Sequence, residues 1–168
     1  MAPRVIRFPP MKIYSWNMLF RNQDTERALS FIEQADFDVF CLQEVPEDVL
    51  KRLQALPYHL SFRTDVFRVF TGGTSRIYVV TLSKHPILSQ GQIAFPDYWP
   101  FLPWRARFFV RLMRRFHFSK MQERGGMYTD INIQGRIVRV FNLHLILAHP
   151  EWRLREFESA LAERHSTY

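Results

Sequence analysis

Apolar positions near the start of the chain change their period as they go, and each change marks an element. MKIYSW, from Met11 to Trp16, reads as a strand, and the polar stretch after it ends at Asp24, a residue suited to capping a helix. Ala28, Leu29, Ile32 and Ala35 then recur at helical spacing, which predicts a helix ending near Ala35. An apolar run from Phe37 to Leu42 follows, and within it DVFCL, starting at Asp38, suits a short strand covered on both faces. Strand, helix, strand in this order is a βαβ unit, so its two strands are expected to be parallel and right-handedly connected.

Pro46 stands where a first helical position would be, and Val49, Leu50, Leu53 and Leu56 form an apolar stripe ending at Pro57, which predicts a second helix. YHLSF (58–62) and RIYVVTL (76–82) read as strands separated by a turn carrying Gly72 and Gly73. MYTDINI (127–133) and RIVRVFNLHL (136–145) flank Gln134 and Gly135, the mark of a tight β-hairpin. From Pro150 to Arg164, Trp152, Leu154, Phe157 and Leu161 share one helical face, with the polar remainder expected to face solvent.

A chain of 168 residues with 47% hydrophobic content is the size of one domain and can bury a core. There is no internal repeat and no low-complexity linker. Residues 1–10, MAPRVIRFPP, are basic without an apolar h-region and read as an extension, leaving 11–168 as the folded unit. No segment approaches the roughly 20 apolar residues of a membrane span. Cys41 is the only cysteine, so no intramolecular disulfide is possible, and its apolar neighbours suit a buried structural thiol. These features fit a cytoplasmic protein.

Charge changes the picture at one place. The net charge of +7 and a pI near 10.0 favour anionic partners. Nearly all of it lies in Phe101 to Arg124, where Arg105, Arg107, Arg111, Arg114, Arg115, Lys120 and Arg124 face a single acid, Glu123. Trp104, Phe108, Phe109, Phe116 and Phe118 are interleaved with them. The segment of about 95–126 is therefore an insertion of different character. It reads either as a solvated helix or as a surface gripping nucleic acid or an anionic membrane through Arg105, Arg107, Arg111, Arg114 and Arg115. The second reading implies a peripheral location at a membrane as one alternative.

Ligands of α/β sheets collect at the carboxyl ends of strands, and Asn17 and Glu44 stand at two such ends. An amide oxygen and a carboxylate are hard ligands that suit Mg²⁺, although polar residues at strand ends also serve as caps and turn formers. Asn142 and His144 alternate with Phe141, Leu143 and Leu145, so both are expected to point the same way from one strand. Buried there without partners, they would cost a few kcal/mol. His59, His85, His117, His149 and His165 show no metal-ligand spacing and read as structural or surface residues.

YSWNM (14–18), DVFCLQEV (38–45), TLSKHPI (81–87) and VFNLHL (140–145) together resemble the ordered N-terminal motifs of the endonuclease/exonuclease/phosphatase superfamily. The superfamily holds DNase I-like nucleases, abasic-site endonucleases, neutral sphingomyelinases and inositol-polyphosphate 5-phosphatases. The resemblance implies an α+β fold, the DNase I-like four-layer α/β/β/α sandwich. It further implies phosphoester cleavage by an activated water, with Mg²⁺ or alternatively Mn²⁺ as cofactor. By motif match Glu44 would be the direct metal ligand with Asn17 in the same site. His144 would contact the scissile phosphate and Asn142 would support it. The implied substrate is a phosphoester of nucleic acid, phospholipid or inositol phosphate.

The family's GDFN-type and SDH-type motifs have no counterpart, since no Gly is followed by Asp and no Asp by His. The resemblance thus covers the first part of the fold, incomplete at the C-terminus. A truncated hydrolase with little or no turnover of its own is the expectation, with a sheet face left uncovered and prone to association. The alternative is a non-catalytic module that binds nucleic acid or anionic membrane through the Arg-rich segment.

Overall fold

The structure, a computed structural model, describes residues 10–70, 73–105, 107–108, 111–112, 125–146 and 150–165. Its strands are β1 (Ile13–Asn17), β2 (Val39–Pro46), β3 (His59–Phe70), β4 (Gly73–Ser83), β5 (Ile87–Ala94), β6 (Gly125–Ile133) and β7 (Arg136–Asn142). The helices are α1 (Thr25–Gln34), α2 (Glu47–Leu53) and α3 (Pro150–Ala162). The strands form two sheets, β1-β2-β4-β3 and β5-β6-β7.

Alternation along β2 builds the layers. Phe40 and Leu42 face outward into a core shared with Leu29 and Ile32 of α1 and Val49, Leu50 and Leu53 of α2. Val39 and Cys41 face the other way and meet Ile131 and Val140 of the second sheet. On the far side of that sheet, Arg139 grips buried Asp130 at 2.7 and 2.8 Å and reaches the Glu163 carbonyl just past α3 at 2.6 Å. The order of layers is therefore helices, sheet, sheet, helix. β1 and β2 run parallel, as the βαβ pattern requires. The β6–β7 turn has Gln134 at φ 53° and Gly135 at φ 80°, the two positive values a tight hairpin of matching twist demands.

Several expected boundaries shift. Asp24 occupies the N-cap of α1 without a side-chain capping bond, and Pro46 is the N-cap of α2 and the last residue of β2 rather than a first helical position. β3 and β4 run longer than the apolar segments predicted, and Gly73 opens β4, while Thr71 and Gly72 of the turn lie outside the described residues. β5 carries no apolar alternation, and only Ile93 is buried in it. β7 stops at Asn142, so His144 stands in the coil beyond it; there Leu143 seats against Gly126, where an added Cβ would come within 2.4 Å. In α3 the exposed residues include Leu154, Phe157 and Leu161, whereas Glu156 and Ala160 are buried. The reason is a contact across the chain: Glu156 accepts the Ile146 amide at 2.6 Å. Among the remaining histidines, His85 pairs with Asp38, and His117 and His149 lie outside the described residues.

The interface between the sheets changes character along its length. One end is the apolar cluster of Val39, Cys41, Ile131 and Val140, where burial pushes the Cys41 thiol up to about 12. The other end is polar, with Gln43, Ser61, Arg63, Asp65, Thr81, Thr129 and Asn142 all buried. Arg63 crosses from β3 to donate to the Ile93 and Gly126 carbonyls at 3.0 and 2.8 Å. Its guanidinium passes so close to Gly125 that a Cβ there would lie 2.1 Å from Nη1, so only glycine fits.

At this polar end both neighbours of β4 carry one residue too many. Between the pairs Leu42↔Val80 and Val45↔Tyr78, β2 advances three residues against two. Between Thr64↔Tyr78 and Val66↔Ile77, β3 advances two against one. These are β-bulges at the same level of β4, on its two sides. In β2 the bulge includes Glu44 in the left-handed region at φ 54°. Strict alternation after Phe40 and Leu42 would send Glu44 into the apolar core beneath α2. With the extra residue, Val45 takes that core position and Glu44 is turned aside.

Two expectations follow. A left-handed conformation at a residue with a Cβ is strained by about 1 kcal/mol relative to glycine, so Glu44→Gly is expected to be about 1 kcal/mol more stable than Glu44→Ala in urea unfolding. Equal stabilities would contradict the bulge geometry. Asp38 accepts the Lys12 amide at 2.8 Å and faces His85 Nε2 at 3.0 Å, which hold its carboxyl below the ordinary value. A depressed folded-state pKa stabilises above the unfolded pKa and ceases to do so as pH falls through the folded value. Asp38→Asn is expected to be about 1 kcal/mol less stable than the parent at neutral pH. Thermal unfolding should show that gap closing below about pH 4, and a gap unchanged in acid would contradict it.

Candidate active site

The β2 bulge and the inward face of β3 bring two carboxylates to one place. Glu44 lies at the mouth of β2 with its side chain 17% exposed. The chain after β1 wraps around it: the Met18 amide donates to the Gln43 carbonyl at 2.9 Å, and Leu19 turns at φ 56°. That turn aims the Phe20 amide at Glu44 Oε2, 3.2 Å away. Asn17 Oδ1 accepts the Leu19 amide at 2.9 Å, which fixes the amide plane so that Nδ2 donates to Glu44 Oε1 at 3.0 Å. Asn17 therefore presents its nitrogen to Glu44 and acts as the group that orients the carboxylate.

His144 stands between the two acids. Its Nε2 is 3.4 Å from Glu44 Oε1, and its Nδ1 is 2.5 Å from Asp65 Oδ2. Asp65, the residue at the β3 bulge, is completely buried, and its Oδ1 has no hydrogen-bond partner. A buried carboxylate gripping Nδ1 fixes the ring orientation and leaves Nε2 turned toward Glu44 and the partly open surface. As an imidazolium the ring donates from both nitrogens.

Of the four residues singled out in the sequence, the structure brings Asn17, Glu44 and His144 together. Asn142 is near but buried at 1% exposure. Its Oδ1 accepts Gln43 Nε2 at 2.7 Å, and its Nδ2 donates to the Val80 carbonyl at 2.8 Å. Asn142 thus stitches β7 to β2 and β4 and sets where the chain carrying His144 departs. Asp65, Gln43 and Arg63 went unnoticed in the sequence. Ser61, Arg63 and Asp65 alternate in SFRTDVF like the solvated face of a strand, and only the facing second sheet makes that face internal.

No group of three or more His, Cys, Asp or Glu side chains arranged to hold a metal occurs among the described residues. The donor set nevertheless fits a cation such as Mg²⁺. Glu44 offers one carboxylate, oriented by a side-chain amide and a backbone amide and still partly open, and Mg²⁺ is commonly held by one or two carboxylates with waters and substrate phosphate completing its shell. A cavity of about 590 Å³ lies elsewhere, over the outer face of the first sheet, lined by Tyr14, Trp16, Arg27, Phe31 and Phe40. It contains none of Glu44, Asp65 or His144, so the candidate site is separate from that apolar groove.

The β5–β6 segment opens at this same end. β5 ends and β6 begins at the pair Ala94↔Gly125, two residues along β6 beyond Met127↔Asn142, where β7 stops and the chain turns toward His144. Tyr98 anchors the start of the segment by stacking on Trp152 at 4.7 Å and donating to its carbonyl at 2.9 Å. Arg114 and Arg115 lie outside the described residues.

Comparison with known proteins gives the same architecture. The chain is similar to an endonuclease/exonuclease/phosphatase family protein from Leptotrichia buccalis C-1013-b, with TM-score 0.61 and 15% identity, covering 93% of this chain and 64% of that one. It is similar to ANGEL2, a 2′,3′-cyclic phosphatase, with TM-score 0.63 and 18% identity over 93% of this chain and 47% of the other. TDP2 from C. elegans gives TM-score 0.57 and 17% identity over 93% and 42%. At these identities the likeness is one of fold, the DNase I-like α+β sandwich, and this chain spans from 42% to 64% of the solved chains. No curated protein sequence matches it. A family model covers residues 14–166, from β1 to just past α3, so the bulged strand carrying Glu44, the coil carrying His144 and the layers that bring them together all fall within the match: this chain belongs to the endonuclease/exonuclease/phosphatase family.

Proposed function

We propose that the chain carries the Glu44 and His144 part of a divalent-metal-dependent phosphoesterase site. The observation that supports this reading most is the β2 bulge, which turns Glu44 out of the apolar core at the expense of a left-handed backbone and sets it beside Asn17 and His144. A residue needed only for packing would not be held this way.

In this reading Glu44 holds Mg²⁺, or Mn²⁺ in its place, with Asn17 and the Phe20 amide fixing the carboxylate. The cation supplies Lewis-acid stabilisation of charge developing on a phosphoryl oxygen. His144, steered by Asp65, directs Nε2 at a phosphoryl oxygen and stabilises the same charge by hydrogen bonding. Asn142 and Gln43 keep the β7 end in register with β2, so the two halves of the site do not drift apart. The chain's own carboxylates at the site are engaged with His144, and the sequence has no Gly-Asp or Asp-His pair to supply the water-activating group. Turnover by these 168 residues alone is accordingly proposed to be slight.

Metal binding is the direct test, because it needs no turnover. Wild-type protein is expected to bind Mn²⁺ in electron paramagnetic resonance titrations, and Glu44→Gln to bind about tenfold or more weakly, since one lost charge at coordination distance is worth a few kcal/mol. Whatever metal-dependent hydrolysis of a generic phosphodiester the protein shows is expected to fall about 10²–10³-fold in His144→Ala. Unchanged Mn²⁺ affinity in Glu44→Gln would overturn the assignment. His144→Ala also leaves Asp65 alone in the interior, which is expected to destabilise the fold by about 3–5 kcal/mol. The double variant Asp65→Ala/His144→Ala should then lose less than the sum of the two single changes, and additive losses would argue that the pair is not coupled.

A further inference from the structure

We propose that the exposed apolar side chains of Phe101, Trp104, Phe108 and Leu112, with Arg105 and Arg111 beside them, dock the protein on an anionic lipid bilayer. These four apolar side chains are 66%, 70%, 64% and 41% exposed. Trp104, Phe108 and Leu112 recur four residues apart, the spacing of neighbours on one helix face, each is helical, and the Arg107 amide bonds back to the Pro103 carbonyl at 3.0 Å. An isolated exposed apolar residue is ordinary, but several large apolar side chains exposed within twelve residues are a surface waiting for a partner. Burying each such side chain is worth about 1.5–3 kcal/mol.

These side chains are held outward. Tyr98 stacks on Trp152 at its base, and Arg107 Nε donates to the Leu102 carbonyl at 2.7 Å, which ties the turn preceding the helix. Arg105 lies over Trp104 with 5.5 Å to the ring centroid, and Arg111 over Trp99 at 5.8 Å. Charge names the class of partner: Phe101 to Arg124 carries seven basic residues and one acidic one, which complements an anionic surface. Geometry narrows it. Single-stranded nucleic acid is held in a basic groove where bases stack on rings, whereas here aromatic rings are exposed together with an aliphatic Leu112. Apolar side chains entering the acyl boundary with arginine heads at the phosphates is the arrangement of an interfacial helix. No helix among the described residues is long and apolar enough to cross a membrane, so the contact lies in the plane of the surface. Because the segment rises from the end of the sandwich that carries His144, docking would bring the candidate site up to the bilayer.

The test is vesicle co-sedimentation of the whole chain, which is read without turnover and so stands or falls separately from the phosphoesterase reading. Binding is expected to phosphatidylcholine–phosphatidylserine vesicles, little to phosphatidylcholine alone, and less as salt rises. Trp104→Ser/Phe108→Ser and, separately, Arg105→Gln/Arg111→Gln are each expected to lower the partition coefficient about tenfold or more. Circular dichroism unchanged from wild type would show that these exposed substitutions leave the fold intact. Failure to bind anionic vesicles would overturn the proposal, as would binding indifferent to both pairs of substitutions. Displacement from vesicles by a single-stranded oligonucleotide bound more tightly than lipid would reassign the face to nucleic acid.

Discussion

The candidate site depends on the register of β4 against its two neighbours. A strand alternates its side chains strictly, so a single carboxylate in an apolar strand has only two destinations, both interior in a four-layer fold. One extra residue in β2 gives Glu44 a third destination, while Asp65, at the irregularity in β3, keeps the inward face it shares with Ser61 and Arg63. Because the two irregularities sit at the same level of β4, on opposite sides, the carboxylates arrive close enough for one imidazole to touch both. Removing either bulge would shift every later side chain in its strand to the wrong face.

That arrangement explains why the inside of the sandwich is polar at one end only. Where Val39, Cys41, Ile131 and Val140 meet, the sheets are joined by apolar packing. Toward the site the joining is done by hydrogen bonds, through Gln43 with Asn142 and through Arg63 with the carbonyls of Ile93 and Gly126. Polar groups in a dry interior specify one geometry, since any slip leaves a buried donor or acceptor unpaired at about 1–3 kcal/mol each. The apolar end supplies stability in bulk and the polar end sets position. Gly125 belongs to the same logic, being small because the Arg63 guanidinium passes against it.

Much of this was legible in the residues. The βαβ start, α2, the Gln134–Gly135 hairpin and the burial of Phe37 to Leu42 follow from periodicity and turn chemistry, because local sequence decides them. Asn17 and Glu44 were visible as polar residues ending apolar strands. Asp65 was not, because a polar residue alternating along a strand looks solvated until a second sheet covers it. The outward turn of α3 was hidden for the converse reason: Glu156 is drawn inside by a backbone amide contributed by the coil after β7, a partner that helical spacing cannot name. Asn142 and His144 share a parity in sequence, but the strand ends between them, so one became a stitch between sheets and the other a site residue.

The most direct examination of the account is a crystal of the protein grown with Mn²⁺ and measured where the metal scatters anomalously. The account predicts an anomalous peak at about 2.1 Å from a Glu44 carboxylate oxygen, with Glu44 still in the left-handed bulge and His144 still gripped by Asp65. A metal bound away from Glu44, or a regular β2 with Glu44 pointing into the layer beneath α2, would contradict it.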